Sequence, residues 1–80
     1  MDDVDAELRA LFIEEASARL ERLVKALEGA LLEAHTVKGS AAVAGLPAYS
    51  AEAATIESML AAPLDAARLL LAQLRPAGSG

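Results

Sequence analysis

The sequence predicts an all-α fold, an antiparallel four-helix bundle, on three observations. Alanine makes up about a quarter of the 80 residues, and leucine, glutamate and arginine fill many of the others, all strong helix formers. Aromatic residues are only 2% of the chain and β-branched ones are scarce, which removes the usual material of sheets. Apolar residues return at three- and four-residue steps in four blocks, separated by Gly29, by the run Gly45-Leu46-Pro47 and by Pro63.

The first block predicts a helix from Asp3 to Glu28, with Val4, Leu8, Leu11, Phe12, Ala16, Leu20, Leu23, Val24 and Leu27 on one side. Asp2, Asp3 and Asp5 suit its N-terminus, and the pairs Glu15 to Arg19 and Glu21 to Lys25 support its surface. Gly29 reads as its stop. A second helix, Ala30 to Ala44, gathers Ala30, Ala34, Val37, Ala41 and Ala44 on its inner side, where small side chains let neighbouring helices come close. His35, Lys38, Gly39 and Ala42 fall on the other side. Gly45 is suited to the position after that helix, Leu46 is the apolar residue that often follows, and Pro47 opens the third.

The third helix, Pro47 to Ala61, would bury Tyr49, Ala53, Ile56 and Leu60, with Glu57 beside that stripe and able to reach the second helix. Pro63 would open a fourth, with Asp65 in its first turn, Leu64, Ala67, Leu70, Leu71 and Leu74 inward, Arg75 at its end and Pro76 as terminator. One small domain over residues 1–76 is expected, followed by a linker or tail at 77–80. The connection at Gly29 is short for a reversal, which usually takes two to five residues. At 1.5 Å per residue the first helix would be about 39 Å long and the second about 22 Å, so Val4, Leu8, Leu11 and Phe12 would overhang. Two chains could meet there as a homodimer, or the first two helices could run on as a single rod exchanged between protomers.

Composition excludes several function classes. A net charge of −5 and a pI near 4.6, with no basic run, make nucleic acid a poor partner. Without cysteine there is no disulfide framework and no thiolate zinc site. One histidine and scattered carboxylates make no ligand cluster for metal-assisted hydrolysis, and no bound cofactor is expected. The acidic start Met-Asp-Asp-Val-Asp is unlike a signal peptide, and no apolar run nears the roughly 20 residues that cross a bilayer, so a cytoplasmic protein with no membrane partner is expected.

The chemistry concentrates in His35-Thr36-Val37-Lys38-Gly39-Ser40. On a helix, Lys38 lies one turn after His35 and Gly39 lies at i+4, so the three share a face. A neutral imidazole keeps a lone pair on one nitrogen and can attack phosphorus. A nearby ammonium can screen the anionic product, and a residue without a side chain lets another active site approach the ring. Taken singly each has a plainer reading: His35 packed or exposed, Lys38 a surface charge, Glu57 a solvated helix residue and Tyr49 core.

His35-Thr36-Val37-Lys38-Gly39-Ser40-Ala41 resembles the H-x-x-K-G-x-x signature of histidine phosphotransfer domains, most like the one at the N-terminus of chemotaxis-type histidine kinases. Phe12-Ile13-Glu14-Glu15-Ala16 resembles that family's F-x-E-E-A segment, Gly45-Leu46 stands where it has Gly-Phe, and Glu57 where it has a glutamate. The resemblance runs from about Leu11 to Leu60. It implies that His35 accepts a phosphoryl group from the catalytic domain of a histidine kinase and passes it to an aspartate of a response-regulator receiver domain. Lys38 would steady the phosphoryl oxygens, Glu57 would accept the proton of Nδ1 so that Nε2 attacks, and Gly39 would admit the partner. ATP and magnesium would come with the partner domains, since this chain has no glycine-rich phosphate loop and is too short for a kinase fold. The chain is thus a relay and not a complete enzyme, either free-standing or part of a histidine protein kinase. Ala54 stands where the chemotaxis-type family often has a second histidine.

Around His35, the residues Gly39, Leu31, Leu32, Ala42, Val43 and Leu46 would form a partner-docking surface, although the apolar ones could instead contact another helix of the bundle. The rival reading is a helical dimerisation or docking module in which His35 is incidental.

Overall fold

The computed structural model describes residues 2–74. They form two helices, α1 (Asp2–Val43) and α2 (Pro47–Leu74), which run antiparallel as one long hairpin. No strand occurs among the described residues. The chain is therefore all-α, but the expected bundle of four helices is not what this chain forms by itself. The first two expected helices are one, because α1 runs through Gly29 without a break. The last two are likewise one, with Pro63 inside α2. At Gly29 α1 is thus a single rod. Arg75, Pro76 and the expected tail at 77–80 lie outside the described residues.

The reason is a seam that never changes phase. On α1, Leu20, Val24, Leu27, Leu31, Ala34, Lys38 and Ala41 alternate steps of four and three residues, straight across Gly29. On α2, Ser50, Ala53, Glu57, Leu60, Leu64, Ala67, Leu71 and Leu74 do the same across Pro63. Each is buried or half-buried, and together they are the a and d positions of a heptad. A chain reversal needs the apolar stripe to end or shift; here it continues. Gly29 and Pro63 are tolerated inside helices despite costs of about 1 and about 3 kcal/mol, since the packing on either side stays in register.

The fully buried residues are Ala34, Ala41, Ala53, Leu64 and Ala67. Four of the five are alanine, so the helix axes can approach closely near the turn. The turn itself follows the expected chemistry. Gly45 has φ 75°, the left-handed conformation that costs other residues about 1 to 2 kcal/mol. The Leu46 N–H donates to the Ala41 carbonyl at 2.9 Å and the Gly45 N–H to that of Ala42 at 3.1 Å, the paired bonds of a Schellman cap. Pro47 then begins α2.

At 1.5 Å per residue α1 is about 63 Å long and α2 about 42 Å, which leaves roughly the first 14 residues of α1 with nothing opposite them. The largest dimension of the molecule, 64 Å, is that of α1. Val4, Leu8, Leu11 and Phe12 are accordingly exposed. Other residues expected inside are also on the surface: Leu23, Ala30 and Val37 on α1, Ala44 just after it, and Tyr49, Ile56 and Leu70 on α2. Tyr49 is 65% and Ile56 51% accessible, so neither is core in this hairpin.

The continuity of α1 separates two glycines that look alike in sequence. A Cβ at Gly29 meets nothing within 4 Å. Gly29→Ala is expected to stabilise the fold by about 0.5 to 1 kcal/mol in urea unfolding, whereas Gly45→Ala should destabilise it by about 1 kcal/mol. If Gly29 were a left-handed stop, both substitutions would destabilise.

Candidate functional site

The heptad fixes where the polar side chains fall. His35 and Glu28 stand at e positions of α1 and Arg68 at an e position of α2, so all three flank the same side of the seam. Lys38 and Glu57 are in the seam at a positions. In an antiparallel pair the e positions of the two helices face each other, and the contacts follow from that. His35 Nδ1 is 2.9 Å from Glu57 Oε2, and Lys38 Nζ is 2.9 Å from Glu57 Oε1. One carboxylate thus spans the imidazole and the ammonium, one oxygen to each.

This carboxylate is held below the usual carboxylate range, first by the hydrogen bond from Lys38 and then by that from His35. It is therefore ionised at neutral pH, and an ionised carboxylate can only accept. Nδ1 must then carry the proton that lies between ring and carboxylate. In the neutral ring this leaves the lone pair on Nε2, on the far side from Glu57. The side chain of His35 is 62% accessible, so that nitrogen lies open to solvent and to a visiting group.

Secondary contacts keep the two helices in register here. The Ser50 hydroxyl donates to the Lys38 carbonyl at 3.0 Å, fixing the start of α2 against the segment that carries His35 and Lys38. The Thr36 hydroxyl donates to the Leu32 carbonyl at 2.9 Å, which turns that side chain back along α1. Two turns from His35, Arg68 Nη2 is 2.6 Å from Glu28 Oε2, and both residues line a shallow depression beside His35 with Leu31, Leu32 and Leu64. Neither Ser50 nor the Glu28–Arg68 pair is visible to sequence reasoning, since the partners lie 12 and 40 residues apart and depend on the hairpin register.

The expected docking residues divide. Gly39 is exposed, and a Cβ there would meet nothing within 4 Å, so the ridge beside His35 is open. Leu32, Val43 and Leu46 are exposed large apolar residues and Ala42 is exposed. Leu31 is half-buried in the seam, so for this residue contact with the other helix is the observed arrangement. Ala54, half-buried, borders a second depression with Lys38 and Glu57.

Among the described residues no group of three or more histidine, cysteine or carboxylate side chains could hold a metal ion. No helix among them is long and apolar enough to cross a membrane. Compared with known proteins, the chain matches the family model of the Hpt domain over residues 7–77. No curated protein and no solved structure matches it significantly.

The bridging role of Glu57 has a pH signature. Because its folded value is depressed, the stabilisation it lends is complete above the ordinary carboxylate range and is lost as pH falls through the folded value. In an NMR titration of the glutamate side-chain carboxyls, Glu57 should titrate below the ordinary glutamate value, and Lys38→Met should raise its midpoint more than His35→Gln. A Glu57 midpoint at or above the ordinary glutamate value would contradict the bridge.

Proposed function

The chain belongs to the Hpt domain family, and from that membership and the geometry around His35 we propose that it relays phosphoryl groups in two-component signalling, with His35 as the carrier. Family membership supports a phosphotransfer role. The observation that carries the residue assignment is the 2.9 Å approach of Nδ1 to an ionised carboxylate on a ring that is otherwise open.

In the first half of the relay, Nε2 attacks the γ-phosphorus of ATP bound to the catalytic domain of a histidine kinase. An N–P bond forms, the bond to the bridging oxygen breaks, and ADP leaves with that electron pair. The Nδ1 proton stays between ring and Glu57, which offsets the positive charge that grows on the imidazole during attack. Lys38 is one turn from His35 and can turn from Glu57 toward the phosphoryl oxygens as their charge arrives. In the second half, a carboxylate oxygen of a receiver-domain aspartate attacks phosphorus, the N–P bond breaks and the lone pair returns to Nε2. The nucleotide and the magnesium ion belong to the partners. Gly39 offers them close access, and Leu32, Ala42, Val43 and Leu46 offer an apolar rim, with Leu31 at its base.

Within the family we favour the phosphotransfer domain of chemotaxis-type kinases, on the Phe12–Ala16 segment, and a cytoplasmic location, where those partners work. The rival reading, a docking module with an incidental histidine, draws on the apolar surface the hairpin leaves uncovered.

Incubation with ATP and a chemotaxis-type kinase catalytic domain should label the chain with acid-labile phosphate. His35→Gln should abolish the label, and Glu57→Gln should slow labelling about 10- to 100-fold, the loss usual when the partner orienting a working imidazole is removed. Acid-stable label, or label retained in His35→Gln, would sink the assignment.

A further inference from the structure

The residues that the sequence sends inward and the hairpin leaves outside are not scattered. Leu23, Ala30 and Val37 recur every seven residues on α1, Ala44 continues the step just past its end, and Tyr49, Ile56, Pro63 and Leu70 recur every seven on α2. In the heptad these are the g positions of both helices. In an antiparallel pair g lies beside g, so the eight form one continuous apolar face, opposite the face that carries His35, Glu28 and Arg68. None of the eight is charged. A helix apolar at a, d and g has the pattern of a member of a bundle, whereas a two-stranded hairpin needs only a and d.

The area agrees. The accessible surface of the chain is 5980 Å². A folded monomer of 8.2 kDa is expected to expose about 4,500 Å². Part of that difference is the overhang of α1, which has nothing opposite it. The eight g residues, the five large ones among them 46–65% accessible, expose about 600 Å² per chain, so two copies meeting there would bury about 1,200 Å², the lower end of a standard interface. The radius of gyration, 18.3 Å, compares with about 12 Å for a compact chain of this length.

We propose that the occupant of this face is a second copy of the chain, the two hairpins packing g-face to g-face into four helices. Each chain carries a net charge of −5, so two copies can meet closely only across surface without charge, and this face supplies it. The interface lies along the body of the hairpin and not at the overhang. Val4, Leu8, Leu11 and Phe12 fall outside the g phase and are not part of it. Both His35 rings point away from the contact, so a dimer relays as readily as one chain, and the proposal stands or falls independently of the phosphotransfer reading.

Sedimentation equilibrium over a concentration series tests it. The wild-type chain should give about 16 kDa, twice 8.2 kDa, at high concentration. Ile56→Glu and Val37→Glu should weaken association about 30-fold or more, as loss of a central apolar contact does. Leu69→Glu, at an f position and 61% accessible, should leave it unchanged. Should the g-face variants fail to fold, mixed labelled and unlabelled wild-type chains still decide: NOEs between the methyls of Ile56 or Leu70 and those of the other copy are expected. A single-chain mass at every concentration overturns the proposal, whether the chain stays extended or folds back at Gly29 and Pro63 to a radius near 12 Å. Phosphate labelling of His35 is read separately and is unaffected by either result.

Discussion

Everything in this molecule rests on one seam of side chains stepping by three and four residues along each helix. It holds α1 and α2 at constant register for about 25 residues, and it overrides two signals that would ordinarily break a helix. Local preference at Gly29 or Pro63 is worth a few kcal/mol at most, while a seam containing Leu20, Leu27, Leu31, Leu60, Leu64 and Leu71 buries far more apolar area than either residue can oppose. Because the register is constant, residues distant in sequence meet predictably. Glu57 meets His35 and Lys38, and Arg68 meets Glu28.

The seam changes character toward the turn. From Leu74 to Leu60 its α2 side is leucine and alanine; beyond that it carries Glu57 and Ser50, and across from them Lys38. Polar groups at core-facing positions weaken packing but discriminate between registers, as a single polar a residue does in coiled coils. Here Glu57 and Lys38 pin the register and Glu57 holds the His35 ring, while Ser50 bonds to the Lys38 carbonyl. The small residues Ala34, Ala41 and Ala53 let the helices close enough for Glu57 to span the gap. The geometry of the site is thus a consequence of alanine content as much as of the charged residues themselves.

Much of the site was legible in the sequence, and part of the fold was not. The spacing of His35, Lys38 and Gly39 on one helix face needs only helical periodicity, and the cap at Gly45 has a local signature that the backbone obeys. Periodicity puts Glu57 on the side that can reach the histidine helix, while its pairing with His35 itself is implied only by likeness to a family. The hairpin departs from the four-helix expectation because Gly29 and Pro63 punctuate the sequence without shifting the apolar phase across them. The inward assignments split in the same way. Ala34, Ala41, Ala53 and Leu64 are inside, while Val37, Tyr49, Ile56 and Leu70 share the stripe by periodicity but flank it in space. A hundred-degree wheel cannot tell a seam from its shoulder; only the partner helix does.

The hairpin also has a polarity of layout. Its turn is at one end, and residues 2 and 74 are both directed toward the other. Counting 1.5 Å per residue, His35 sits about 15 Å from the Gly45 bend, but about 50 Å of helix separates it from the start of α1. Whatever is joined in cis to either end of the hairpin attaches at the root, leaving the tip that carries His35 clear of it.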